Sequence, residues 1–407
     1  MSHSSDHVDA LPAPPERLAL PGSIRAASVL VVVAGIAAFA WALAGGHAAL
    51  AWSSYLIGVF FALGLGVFGV AWIAITYLAR GTWSVSMRRI PEAMTAWLVP
   101  GGLLTLAVGL GAPSLYHWSH RDAVALDALL THKAPFLNMN MFYALVAVSL
   151  ALWVVFAAAI VGASRRQDQE GGVALTARSH GLSALFLVVF ALTISVVSFY
   201  LLLSLDAHWF STMFAVLVFT DVIQTGLAFV AVAAGLLYAS RKLKGFLTAS
   251  HLHSLAKMLF AATGFWAYIY FCQFMLIWYA NLPEETVYFL KRAQNGWLPY
   301  FLLLPLLKFV VPFLLLISRE AKRQPKKLVP VALVILFAQF WELYLMVGPS
   351  IGHGHETAHA HLPVVELVVT LGFVGLFTLV FGWALARHGA VPLKDPSLAE
   401  CLEGGRS

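Results

Sequence analysis

Ten stretches of about twenty or more mostly apolar residues run through this 407-residue chain, at 24–44, 52–79, 92–112, 138–162, 180–204, 211–240, 252–280, 297–318, 328–347 and 363–386. About twenty apolar residues in helical form cross the hydrocarbon core of a bilayer, so each stretch reads as a membrane-spanning helix. Inside lipid every backbone amide and carbonyl must be paired, which for segments of this length leaves the α-helix. The expected fold is therefore all-α: a polytopic membrane protein with ten helices in residues 24–388, a tail at 1–23 and another at 389–407. Only 11% of the residues are charged, against about a quarter in soluble domains.

The positions of Lys and Arg test the count of ten. Arg17 and Arg25 precede span one, and Arg80, Arg88 and Arg89 follow span two. Arg165, Arg166 and Arg178 follow span four; Arg241, Lys242 and Lys244 follow span six. Arg319, Lys322, Arg323, Lys326 and Lys327 follow span eight, and Arg387, Lys394 and Arg406 follow span ten. The alternate loops hold only Arg121, Lys133, Lys291 and Arg292, so nineteen cations face four, with Lys257 and Lys308 inside spans. Loops rich in Lys and Arg stay on the cytoplasmic side, which places both termini there. The same scatter among loops argues against a nucleic-acid surface. Residues 1–21 show no basic region leading into a short apolar core with a small-residue cleavage site, so no signal peptide is expected.

Residues 251–297 organise the second half of the chain. His253 and Lys257 are four residues apart, on one helix face. More than twenty mostly apolar residues follow, interrupted by Gln273 and ending in Trp278 and Tyr279, whose rings suit a membrane interface. Asn281 is placed to cap a new helix, with Glu284 answering as in a capping box. Lys291 and Arg292 suit its last turn and Gly296 its stop, giving a short surface helix over Leu282 to Arg292. Two outer loops are long: Pro113 to Leu137, and Gly348 to Leu362 with His353, His355, Glu356, His359 and His361.

The HxxxK pair, the run WAYIYFCQFMLIWYANLPEETVYF, the following GW, SLDAHWFSTMF before it and QFWELYLMVGP after it resemble the second NrfD-like, quinone-binding membrane subunit of alternative complex III, a bacterial quinol:cytochrome c oxidoreductase. Polysulfide reductase membrane subunits belong to the same superfamily. The resemblance covers about Ser204 to Pro349. It implies ten helices with two central four-helix bundles, in a bacterial inner membrane. It also implies quinone (ubiquinone or menaquinone) as the redox partner molecule. The partner proteins implied are a periplasmic iron–sulfur subunit, multihaem and monohaem cytochrome c subunits and a paralogous NrfD-like membrane subunit. The His-rich loop matches no motif of that family.

Ionisable groups inside spans carry the functional reading, because a charge at the bilayer centre costs roughly 2.5–3.5 kcal/mol and needs a partner, water or a purpose. Asp221 lies ten residues into span six and Lys308 eleven into span eight, both counted from the outer side. At about 1.5 Å per residue both sit roughly 15–17 Å deep, a match that permits an ion pair. Glu342 and Gln339 lie near the outer end of span nine, Glu366 near that of span ten, and His253 and Lys257 at the inner end of span seven. Together Asp221, Lys308, Glu342, Glu366, His253, Lys257 and Gln339 form a ladder suited to proton relay. The bland alternatives are a static Asp221–Lys308 pair that fixes packing, and His253 and Lys257 bound to lipid phosphates.

Trp266, Tyr270, Gln273 and Phe274 are candidates for a quinone-ring wall, against ordinary packing. His353, His355, His359 and His361 are candidates for a metal, against a solvated partner-facing loop; no metal is expected. Cys272 and Cys401 form no CxxC motif, and the histidines near spans (His180, His251, His253, His388) lie at their ends. No thiolate-held, haem or covalently bound cofactor is therefore expected. The function expected is a membrane subunit contributing quinone binding, a transmembrane proton pathway or both. A secondary transporter with its site at Asp221 and Lys308, and a plain membrane anchor for a periplasmic reductase, are the alternatives. The outer helix and the two long outer loops are the expected docking platform for the redox partners.

Overall fold

A computed structural model describes residues 17–351 and 358–404. Ten helices are long and apolar enough to cross a membrane: α1 Gly22–Ala44, α2 Ala48–Leu78, α3 Arg89–Leu115, α4 Met139–Glu170, α5 Ala174–Leu201, α6 Met213–Ala239, α7 Ala249–Ala280, α8 Leu298–Leu316, α9 Pro325–Ser350 and α10 Val364–Arg387. They coincide with the ten apolar stretches. The largest difference is at the α4–α5 corner, where the polar segments RRQDQE and ALTARS extend both helices beyond the apolar core. Gly171 and Gly172, with φ of 72° and 87°, make that tight turn, a conformation open to glycine at little cost. No strand occurs among the described residues.

Packing groups α2–α5 into one four-helix bundle and α6–α9 into a second. The bundles meet where α2 and α5 touch α6 and where α2 touches α9, while α1 and α10 pack on each other and on α2. Helix α2 is the hub: nearly all of its apolar stretch is buried, whereas most of α1 is exposed. Apolar side chains gain little from leaving lipid for protein, so close backbone approach carries such packing. A Cβ on Gly35 of α1 would stand 2.8 Å from Cα of Gly372 of α10, and one on Gly226 of α6 would fall inside the Phe68 ring of α2.

Two spans are irregular. Helix α3 alternates α and 3-10 turns through Pro91, Pro100 and a run of glycines. Helix α8 contains one π turn at Leu306–Val310, between Pro305 and Pro312.

An even number of crossings leaves both chain ends on one side, the terminal face. The described residues after α10 are not a free tail. Asp395 ion-pairs with Arg88, a helix covers Leu398–Gly404, and Cys401 is buried with its carbonyl 3.1 Å from His251 Nε2. On the opposite face a short helix covers Pro283–Lys291 between α7 and α8. Its start differs from the capping-box expectation. Asn281 takes φ 50° and ends α7 in the left-handed region, so the new helix begins instead on Leu282 with Pro283 in its first turn. Its end differs too: the helix stops at Lys291 with Arg292 as its cap, and Gly296, at φ 84°, lies in the turn that leads into α8.

Candidate functional site

Lys308 has no exposed side-chain surface. Its position follows from the break in α8. Pro312 has no amide hydrogen to offer the Lys308 carbonyl four residues earlier. The ladder loosens into a π turn in which the Val311 amide reaches back to the Leu306 carbonyl. Gln224 of α6 supplies the Lys308 carbonyl with a donor, its Nε2 at 3.0 Å, and also donates to Thr263 Oγ1 of α7 at 3.1 Å.

The Lys308 ammonium meets three acceptors from two helices. Nζ donates to Asp221 Oδ1 of α6 at 2.6 Å and to Gln339 Oε1 of α9 at 2.6 Å, and it ion-pairs with Glu342 of α9. Thr225 Oγ1 donates to the same Gln339 oxygen at 2.9 Å, and Trp266 Nε1 of α7 donates to Glu342 Oε1 at 3.2 Å. The ammonium also lies 5.0 Å from the Trp266 ring centroid, within cation–π range. The matched depth of Asp221 and Lys308 therefore corresponds to a direct ion pair. Glu342 and Gln339 join that pair rather than forming a separate outer tier. Two carboxylates share one ammonium in a volume closed to solvent, so the site carries one more acid than base.

The remaining members of the ladder lie elsewhere. Lys257 is exposed near the terminal end of α7, nine residues before Trp266, about 13 Å along the helix. His253, four residues further, belongs to the same cationic end as Arg319, Lys322 and Arg323. Glu366 is buried at the opposite end of α10, where one oxygen meets His361 Nε2 at 2.8 Å. That hydrogen bond raises the His361 imidazole above its ordinary value, against the opposing effect of partial burial. A raised value means that the contact stabilises the protein below the ordinary histidine value of about 6.5 and is lost as pH rises through the folded one. Thermal midpoints measured from pH 5 to 9 should fall across that range in the wild type. The fall should be smaller in His361→Gln; identical profiles would remove His361 as the cause.

The candidate quinone wall is packed at its inner members, while Phe274 is half-buried. Trp266 stacks on Tyr270 with ring centroids 4.9 Å apart, and Gln273 Nε2 donates to Ser211 Oγ at 3.1 Å. The cavity beside Tyr270 and Gln273 measures about 20 Å3, room for about one water molecule and not for a quinone ring. In the His-rich loop, His353 and His355 lie outside the described residues. His359 is exposed, and His361 is engaged with Glu366 and with the Tyr344 ring. No group of three or more possible metal ligands occurs among the described residues.

That small cavity has a second significance. Glu342 lines it, and so do Tyr288 of the surface helix and Arg292 that caps that helix. Tyr288 also lines a hollow of about 1170 Å3 on the opposite face, together with Asp206, His208 and Lys291. Tyr288 stacks on Trp209 at 4.0 Å, and burial pushes its hydroxyl up to about 12, so it stays protonated. Arg292 looks like a surface cation in the sequence, yet it is 2% exposed. Its guanidinium lies 3.3 Å from the Tyr288 ring centroid and donates to the carbonyls of Leu345 and Met346 at 2.9 and 3.0 Å. It thus satisfies free acceptors near the end of α9, one turn beyond Glu342.

A second buried charge network was not legible in the sequence. Arg89 ion-pairs with Glu92 and with Asp168 of α4, and Ser164 donates to Glu92. Arg88 pairs with Asp395 and donates to Tyr77. The i, i+3 spacing of Arg89 and Glu92 was the available signal; their distant partners left none. The sequence matches no protein-family model and no curated protein.

Proposed function

We propose that the Lys308–Asp221–Glu342 cluster is a proton-binding station inside the membrane. We further propose that the chain serves as the proton-conducting, quinone-linked membrane subunit of a quinol:cytochrome c oxidoreductase of the alternative complex III type. The observation that carries the first statement is the unequal charge of the cluster: two buried carboxylates against one buried ammonium. A simple ion pair has one of each, and this cluster has a second carboxylate on the same ammonium. Two carboxylates and an ammonium within hydrogen-bond reach of one another can hand a proton on when a neighbour changes charge.

Tyr288 lines both the one-water cavity beside Glu342 and the large hollow on the opposite face, and we take this as the way out. Protons leave or enter on that side, which the distribution of Lys and Arg assigns to the periplasm. Both termini are then cytoplasmic. Membership of the oxidoreductase, its haem and iron–sulfur partners and its quinone rest on the sequence resemblance. The cavity beside Tyr270 and Gln273 is too small for a quinone ring, and the proton station does not require one there. Electrons travel through the partner subunits.

Reconstituted complexes containing Asp221→Asn or Glu342→Gln provide the test. Protons released per electron should fall while quinol oxidation continues. A wild-type ratio in both assembled variants would make the cluster structural. A secondary transporter is the second reading, favoured by the π turn between two prolines beside a buried charge, since transporter sites are built from broken helices. Purification without any haem or iron–sulfur protein would favour it over the oxidoreductase.

A further inference from the structure

Three adjoining hollows run along the membrane edge of the terminal face. The first, about 660 Å3, is an apolar groove between Val29, Leu30, Val33 and Leu379, with Arg25 at its end. The second, about 430 Å3, shares Arg25 and Leu379 with the first and adds Arg17, Trp383 and Arg387. The third, about 310 Å3, shares Trp383 and Arg387 with the second and opens between Leu98, Val99, Val154 and Val161, with Arg165 at its rim. Two apolar grooves thus meet at a centre lined by arginines.

Those arginines are uncommitted. Arg25, Arg165 and Arg387 form no ion pair with a carboxylate among the described residues. Arg165 Nε is buried without a hydrogen-bond partner. Arg387 rests its guanidinium on the Trp383 ring at 3.9 Å, which orients it at the junction of the second and third hollows. Elsewhere on the same face Arg88 and Arg89 are paired with acids. A guanidinium held in the plane of lipid headgroups recognises phosphate by paired N–H donors. The grooves on either side offer apolar walls and little else, and a free anion would leave them empty.

We propose that this is a binding site for one two-chain anionic phospholipid. Its phosphate lies between Arg25 and Arg387, and its chains lie on opposite sides of Trp383. The site seals the outer edge of the α1–α10 pair, whose α1 is the least enclosed of the helices near the hub.

The test uses the full chain, purified in detergent, exchanged into nanodiscs of equal phosphatidylglycerol and phosphatidylcholine and released for native mass spectrometry. Wild type should retain one phosphatidylglycerol in preference to phosphatidylcholine. Arg25→Gln/Arg387→Gln should weaken that retention about thirty-fold, taking the usual contribution of each cation near an anionic lipid. Arg241→Gln/Lys326→Gln removes the same charge elsewhere on this face and should leave it unchanged. Ala158→Trp fills the third hollow and should abolish two-chain binding while single-chain lysophosphatidylglycerol is still held. It also serves if the arginine variant does not fold. Equal loss in the control variant would reduce the effect to general surface attraction. Displacement of the lipid by inorganic phosphate would make the site a plain anion site. Unchanged retention in both Arg25→Gln/Arg387→Gln and Ala158→Trp would leave no site at all.

Discussion

Lys308→Met is expected to cost about 3–5 kcal/mol, more than any other single change at the buried cluster, because it removes the one cation shared by two enclosed carboxylates. Asp221→Asn and Glu342→Gln should each cost clearly less. Either one leaves a balanced pair of one ammonium and one carboxylate, with Gln339 still accepting from Nζ. The triple variant Lys308→Met/Asp221→Asn/Glu342→Gln carries no charge at the site and should recover much of the loss, since breaking a buried pair is worse than replacing it. Unfolding midpoints in detergent, compared across the four variants, give the order. If Asp221→Asn or Glu342→Gln proves as damaging as Lys308→Met, the count of two acids against one base does not describe the folded state.

That order was only partly readable from the sequence. The ten helices were, because apolar length is a local property and the bilayer sets its scale. The Asp221–Lys308 contact was also readable, since both residues enter from one side and sit at equal depth. Glu342 was assigned too shallow a level by counting rise along α9 alone. A lysine side chain spans more than a helical turn, and spans tilt and break, so residues counted at different depths still meet. The break in α8 supplies part of that freedom. In α7 the sequence drew attention to His253, whereas His251, two residues earlier and so on another face, is the one turned inward to accept from the Thr248 amide and to approach Cys401. Arg88 and Arg89 scored as loop charges and are instead buried ion-pair members. The positive bias of the terminal face survives that correction, but fewer of its cations are free. Arg25, Arg165 and Arg387 are among those that remain.

Gln224→Leu is expected to cost about 1–3 kcal/mol, because it withdraws a buried donor from the Lys308 carbonyl and from Thr263 at once. The cause of that dependence is Pro312, so the two positions should be coupled. In a Pro312→Ala background an amide becomes available four residues after Lys308, and Gln224→Leu should then cost less than in the wild type. A double-mutant cycle on unfolding free energies measures the difference. Additivity within about 0.5 kcal/mol would show that the proline and the glutamine act independently. The same pair links the backbone to the proton station. A π turn inserts one residue, so closing it rotates the helix on one side by about 100° relative to the other. If Pro312→Ala lets α8 close into a regular helix, Lys308 turns away from Asp221 and Glu342, and protons released per electron should fall although no ionisable group has been changed. A Pro312→Ala complex that conducts as the wild type does would mean that the π turn is not what aims Lys308.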